Sequence, residues 1–270
     1  HLAHLTKLPG GILPRTSFVV KFIIVFTFIF TTACSLGSGN YANKTHHSKN
    51  KNLGGKNYSQ SPTAKWRPTK KNTIPYVSNA RVKKWVKLFN GRLKPSFRKW
   101  VHRIGKYGPI IEQVLEDEGA PKDLIYLSMI ESGFNLQARS HAAAVGPWQF
   151  ISSTGKIYGL RNSFYTDDRQ DLIKSTKAAA RHLKDLHKIY KDWYLAFSAY
   201  NAGPGTVNRA IRRLHKRDYW KLSSARSRYF RQETKDYVPK FLAAMHIVKN
   251  YRKYGYSDKS FGSPIEFDRV

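Results

Sequence analysis

The chain has 270 residues, 41% of them hydrophobic and 14% aromatic, enough to build a core and to exclude a chain disordered throughout. Its 48 Lys and Arg against 17 Asp and Glu give a formal charge of +31, which suits polyanionic partners: nucleic acid, anionic lipid or acidic cell-wall polymer. With Cys34 as the one cysteine, an intramolecular disulfide and a cysteine-based metal cluster are both excluded.

In chain order, Lys7, Arg15 and Lys21 precede the apolar run 22–30. That run falls short of the about 20 residues of a membrane span and fits the apolar region of an export signal. Thr31-Thr32-Ala33-Cys34 resembles a bacterial lipobox, with Thr31 where Leu is usual. Residues 1–34 are therefore expected to be an export signal of lipoprotein type, with Cys34 lipidated and anchoring the chain to a membrane. Ordinary cleavage after Ala33 is the alternative. Ser35 differs from the Asp that retains some lipoproteins at the inner membrane, so the expected location is the cell envelope, facing the periplasm, with the outer membrane favoured. Residues 35–78 are rich in Gly, Ser, Asn, Lys and Thr without apolar periodicity, and read as a disordered basic tether. His46-His47 within it reads as incidental, not as a metal site.

From 79 onward the pattern is helical and the expected fold class is all-α. Val82, Trp85, Val86 and Phe89 share one face, ended by Gly91. Pro95 opens a second helix with Phe97, Trp100, Val101 and Ile104 on its face. Pro109 to Glu118 reads as a third and Pro121 to Ser132 as a fourth. A long helix is expected from about Asp168 to Tyr190, a short apolar one from Trp193 to Tyr200, and another through Val207, Ile211 and Leu214. The last runs from about Gln232 to Tyr251, with a kink or later start expected at Pro239. The domain is placed at 79–255, with a tail at 256–270.

Glu131 stands out in this pattern. Leu124 and Leu127, seven and four residues before it, share its helix face. Apolar surroundings penalise the charged carboxylate, and the negative end of the helix dipole acts in the same direction. Both would keep Glu131 protonated near neutral pH, as a general acid requires. A surface glutamate in a last turn is the plainer alternative. Asn135 to Val145 reads as a loop over a cleft, and Gly146-Pro147 sets a sharp backbone course ahead of Trp148-Gln149. Gln149 can both donate and accept, as sugar hydroxyl or N-acetyl groups need. Tyr200-Asn201 ends an apolar helix before the turn residues Gly203-Pro204-Gly205.

Together these segments resemble the family 1 lytic transglycosylases. Glu131-Ser132 matches the family's Glu-Ser pair, and Ser140 its downstream serine. Gly146 to Gln149 matches Gly-x-x-Gln, with the Pro-Trp filling of the family's D-type branch. Ala199-Tyr200-Asn201-Ala202-Gly203 matches Ala-Tyr-Asn-x-Gly, and Glu233 to Val238 matches Glu-Thr-x-x-Tyr-Val. The resemblance covers roughly 81–251, with four motifs in the family's order. It implies a lysozyme-like helical fold with a cleft, and peptidoglycan glycan strands as partner. It implies non-hydrolytic cleavage of the β-1,4 bond between N-acetylmuramic acid and N-acetylglucosamine, leaving 1,6-anhydromuramyl ends. Glu131 would be the single catalytic acid and base. Ser132, Ser140, Gln149, Asn201, Glu233 and Tyr237 would bind substrate or hold the site, and Tyr200 would orient the acid. No metal or cofactor is implied.

Two other functions fit the same residues. A goose-type lysozyme would need a second carboxylate to position water, for which Asp167, Asp168, Asp171 and Glu233 are the candidates. A non-catalytic wall-binding scaffold could keep the fold, but the presence of Glu131, Gln149 and Tyr200 argues against it. A nucleic-acid binder is disfavoured by the export signal and the lack of a helix-turn-helix or RNP-like pattern.

Overall fold

The computed structural model describes residues 65–224 and 227–265. Among them are nine α-helices, and the β-structure is limited to three isolated bridges. Four of these helices begin where a short polar side chain takes up a free backbone N–H group. Asn79 caps α1 (Ala80–Asn90) by accepting from the Arg81 and Val82 amides. Asp171 caps α5 (Leu172–Tyr190), and Asp192 caps α6 (Trp193–Ala202). Between these lie α2 (Lys94–Asp117), α3 (Ile125–Ser132) and α4 (Ser152–Ile157), followed after α6 by α7 (Pro204–Leu214), α8 (Tyr219–Leu222) and α9 (Gln232–Lys249). No helix among the described residues is long and apolar enough to cross a membrane.

Two helices organise the core. α9 packs against α1, α3 and α6, and α5 packs against α2 and α6. Phe197 of α6 and Phe241 of α9 are fully buried with ring centroids 4.7 Å apart, joining these two helices within the core. The apolar stripe read from 82 to 104 lies inward, with Val82, Phe97, Val101 and Ile104 all fully buried.

Several boundaries differ from the sequence expectation. The stretch 65–78, assigned to the tether, lies against the domain in its described part. Trp66 is 4% exposed and Ile74 is fully buried. The Thr73 and Ile74 amides both donate to Asp123 Oδ2, and Asp123 pairs with Lys249 of α9 at 2.5 Å. The polar composition hid a segment held by two apolar anchors and one buried carboxylate. The rest of the tether, the export signal, Cys34 and 266–270 lie outside the described residues.

Helices two and three are one helix of 24 residues with Pro109 inside it. The Gly108-Pro109 pair marks a close approach, not a break: a Cβ on Gly108 would stand 2.8 Å from Trp66 Cδ1. Pro239 likewise lies inside a continuous α9. α4 was not expected. The domain runs past 255, since Phe261 is buried and the Gly262 amide donates to the His102 carbonyl of α2.

Candidate active site

Glu131 lies in the last turn of α3, which stops at Gly133 in the left-handed region (φ 59°). Any side chain at 133 would collide with Trp100, whose Cδ1 stands 2.1 Å from an ideal Cβ. Ser132 secures the same turn. Its hydroxyl donates to the Pro147 carbonyl (2.9 Å) and accepts from the Asn135 amide, and Ser128 donates to the same carbonyl (3.0 Å). The acid-bearing helix is thus fastened to the 146–150 loop.

That loop is shaped by positive-φ residues and one buried tryptophan. Gly146 adopts φ 84°, and a Cβ there would lie 1.8 Å from the Arg169 carbonyl. Trp148 is fully buried, its Nε1 donating to Thr176 Oγ1 of α5 at 2.9 Å. Gln149 follows at φ 51° and donates through Nε2 to the Gly146 carbonyl (2.8 Å). Ser140 closes the preceding turn, accepting from the Ala144 amide at 3.1 Å.

These segments border a cleft of about 440 Å³. Glu131, Ser140, Gln149, Tyr200, Asn201 and Glu233, widely separated in sequence, all line it. Ser132 and Tyr237 act from behind, through hydrogen bonds. Tyr237 Oη donates to Glu131 Oε1 at 2.5 Å. Tyr200 Oη, expected to orient the acid, donates instead to the Trp148 carbonyl at 2.7 Å. Asn201 bridges two groups of α9: it donates to Glu233 Oε1 (3.2 Å) and accepts from Thr234 Oγ1 (2.8 Å).

The electrostatics suit proton transfer at Glu131. Burial pushes its carboxyl up to about 7, and the negative charge of Glu233 acts in the same direction. The Tyr237 hydrogen bond and the Lys240 charge oppose the rise. Burial also holds the Tyr200 and Tyr237 phenols well above their usual range, so both remain hydrogen-bond donors.

The other candidate carboxylates are occupied elsewhere. Asp167 pairs with Arg169 (2.7 Å), Asp168 with Lys174 (2.7 Å), and Asp171 caps α5. None of the three borders the cleft. His182 does, and it was missed from sequence because one histidine on an amphipathic helix gives no signal. Its ring stacks on Tyr158 at 4.8 Å and lies 5.1 Å from Tyr200. Burial pushes it down to about 4, so it is neutral where Glu131 titrates.

Residues 108–223 match the family model of the transglycosylase SLT domain. Over 166 residues the chain is 39% identical to membrane-bound lytic murein transglycosylase D of Escherichia coli (strain K12), and equally to that protein of the O6:H1 strain. The aligned part is 56% of this chain and 35% of the relative, so the chain spans about a third of that relative's length. The 70 kDa soluble lytic transglycosylase of Escherichia coli is similar in fold, with a TM-score of 0.50 at 18% identity, covering 64% of this chain and 29% of that one. The stretch 108–223 is thus similar to the transglycosylase SLT domain, and Glu131, which lines the cleft, lies within it.

Proposed function

We propose that this chain is a peptidoglycan lytic transglycosylase with Glu131 as its single acid and base. Protonated Glu131 gives its proton to the oxygen linking N-acetylmuramic acid to N-acetylglucosamine, and the C1–O bond breaks. The resulting carboxylate then takes the proton of the muramyl C6 hydroxyl as that oxygen bonds to C1. The product is a 1,6-anhydromuramyl end, no water is consumed, and Glu131 is protonated again. Gln149 and Ser140 offer polar atoms to the bound sugars, while Tyr237 holds the acid.

The observation carrying this reading is a carboxyl raised to about 7 in a cleft, held by a neutral phenol donor. Glu233, the other carboxylate lining the cleft, accepts from Asn201 and is read as a structural or substrate-holding group. The test is borohydride labelling of digested glycan strands. Anhydro ends take up no label, whereas the reducing ends made by a goose-type hydrolase do.

The chain's place belongs to the same proposal. Lipidation at Cys34 would set the domain at the envelope, on the periplasmic side of the outer membrane. Two features support it: the lipobox-like 31–34 and similarity to a relative named as membrane-bound. Metabolic labelling with a palmitate analogue, lost on Cys34→Ser, tests it.

A further inference from the structure

The three most exposed large apolar side chains among the described residues fall close together in sequence. Ile157 is 77% exposed, Phe164 95% and Tyr165 90%. Ile157 ends α4, and the two aromatic residues form the tip of the loop that follows. Single exposed apolar residues are ordinary on protein surfaces, but two touching aromatic rings this open, with a third exposed apolar side chain seven residues before them, call for a partner.

The loop is built to present them. Arg161 and Asp168 close its base, the Arg161 amide donating to Asp168 Oδ2 (3.0 Å) and the Asp168 amide to the Arg161 carbonyl (2.8 Å). Nearer the tip, the Ser163 amide donates to the Thr166 carbonyl at 2.7 Å, and Ser163 Oγ accepts from the Tyr165 and Thr166 amides. The Phe164 and Tyr165 rings meet edge to face at 5.2 Å, outside the core.

The charges around the tip are one-sided. Lys156 and Arg161 are exposed and make no ion pair among the described residues. The nearby Asp167 and Asp168 are each neutralised by a partner, Arg169 and Lys174. The unpaired charges facing solvent in the loop are therefore cationic, and its other exposed residues, Asn162, Ser163 and Thr166, are neutral.

We propose that this tip is a membrane-contact site. It seats Ile157, Phe164 and Tyr165 in the interface of an anionic lipid surface, with Lys156 and Arg161 at headgroup level. A ring open over nearly all its surface protrudes, and a folded partner would need a matching socket, whereas a lipid interface yields to it. Phe supplies an apolar wedge, Tyr pairs a ring with a polar end, and the cations are drawn to anionic headgroups. Because Ile151 and Thr154 of the adjoining segment line the cleft, docking here would hold the cleft in a set orientation beside the membrane. The proposal stands apart from the cleavage chemistry.

The test uses the full chain with Cys34→Ser, so that Phe164→Cys supplies its one thiol for an environment-sensitive dye. Vesicles of phosphatidylglycerol mixed with phosphatidylcholine should blue-shift the dye, brominated acyl chains should quench it, and phosphatidylcholine alone should do neither. A dye left unchanged while the protein sediments with anionic vesicles overturns the proposal, since another segment then makes the contact. A shift with glycan fragments but not with vesicles overturns it too, assigning the tip to sugar. As a second readout, Phe164→Ser with Tyr165→Ser in the Cys34→Ser chain should weaken vesicle binding on the order of tenfold without changing thermal unfolding. Unchanged binding by that variant contradicts the proposal.

Discussion

The Tyr237 hydroxyl donates to Glu131 Oε1 at 2.5 Å, joining the first half of α9 to the last turn of α3. The proposed acid is therefore held by a helix more than a hundred residues further along the chain. A phenol kept neutral by burial steadies the carboxylate without giving up its own proton.

Tyr237→Phe removes that donor. Hydrogen bonds to charged groups contribute about 1.5–3 kcal/mol, so kcat/KM on glycan strands should fall roughly 10–100-fold. The bond lowers the Glu131 pKa, and without it the proton is held to higher pH. Because the protonated form starts the reaction, the limb of activity that falls with rising pH should move upward. An unmoved limb would contradict the assignment.

Glu233→Gln should move that limb the other way, since the Glu233 charge helps to raise Glu131. A glutamine can still accept from Asn201, so the expected loss of rate is less than about tenfold, below the range for removing a general acid. A loss as deep as that of Glu131→Gln would instead favour a two-carboxylate hydrolase. Steady-state rates across a pH series decide the matter.

Gly146→Ala tests the loop that carries Gln149. The substitution adds a left-handed penalty of about 1–2 kcal/mol to a collision with the Arg169 carbonyl, 1.8 Å from the new Cβ. Arg169 is itself fixed by bonds to the Ala143 and Phe150 carbonyls, so it cannot easily retreat. Denaturant unfolding should show a loss larger than the left-handed penalty alone. A variant as stable as the parent would mean that the loop is not held as described.

Away from the cleft, burial pushes Glu112 of α2 up to about 7. The unfolded chain gives up that proton near 4.5 and the folded chain only near 7. Stability contributed by this group therefore falls as pH rises between those values, and the loss is complete above them. Glu112→Gln should raise the melting temperature relative to the parent above pH 7 and leave it unchanged below pH 4.5. An equal change at both ends would point to packing instead of charge.

The helical class and the stripe from Val82 to Ile104 were legible because each rests on local spacing, whereas most of the motif residues lining the cleft were picked out by their resemblance to a known family. Gly108-Pro109 was not, because a helix stop and a point of close approach look the same in sequence; Trp66 decides between them. Trp66 and Ile74 were lost in a polar stretch for a related reason, since two apolar anchors set no period. At the site, both tyrosines were identified, but spacing does not say where a hydroxyl points. Tyr200 reaches the Trp148 carbonyl, and Tyr237 reaches the acid.

In the proposed mechanism Glu131 alone performs both proton transfers. Mass spectrometry of sacculi digested by the parent and by Glu131→Gln tests it most directly. Anhydromuropeptides are expected from the parent, with a loss of about 10²–10⁴-fold in the variant. Reducing-end products from the parent, or anhydro products formed equally by Glu131→Gln, would contradict it.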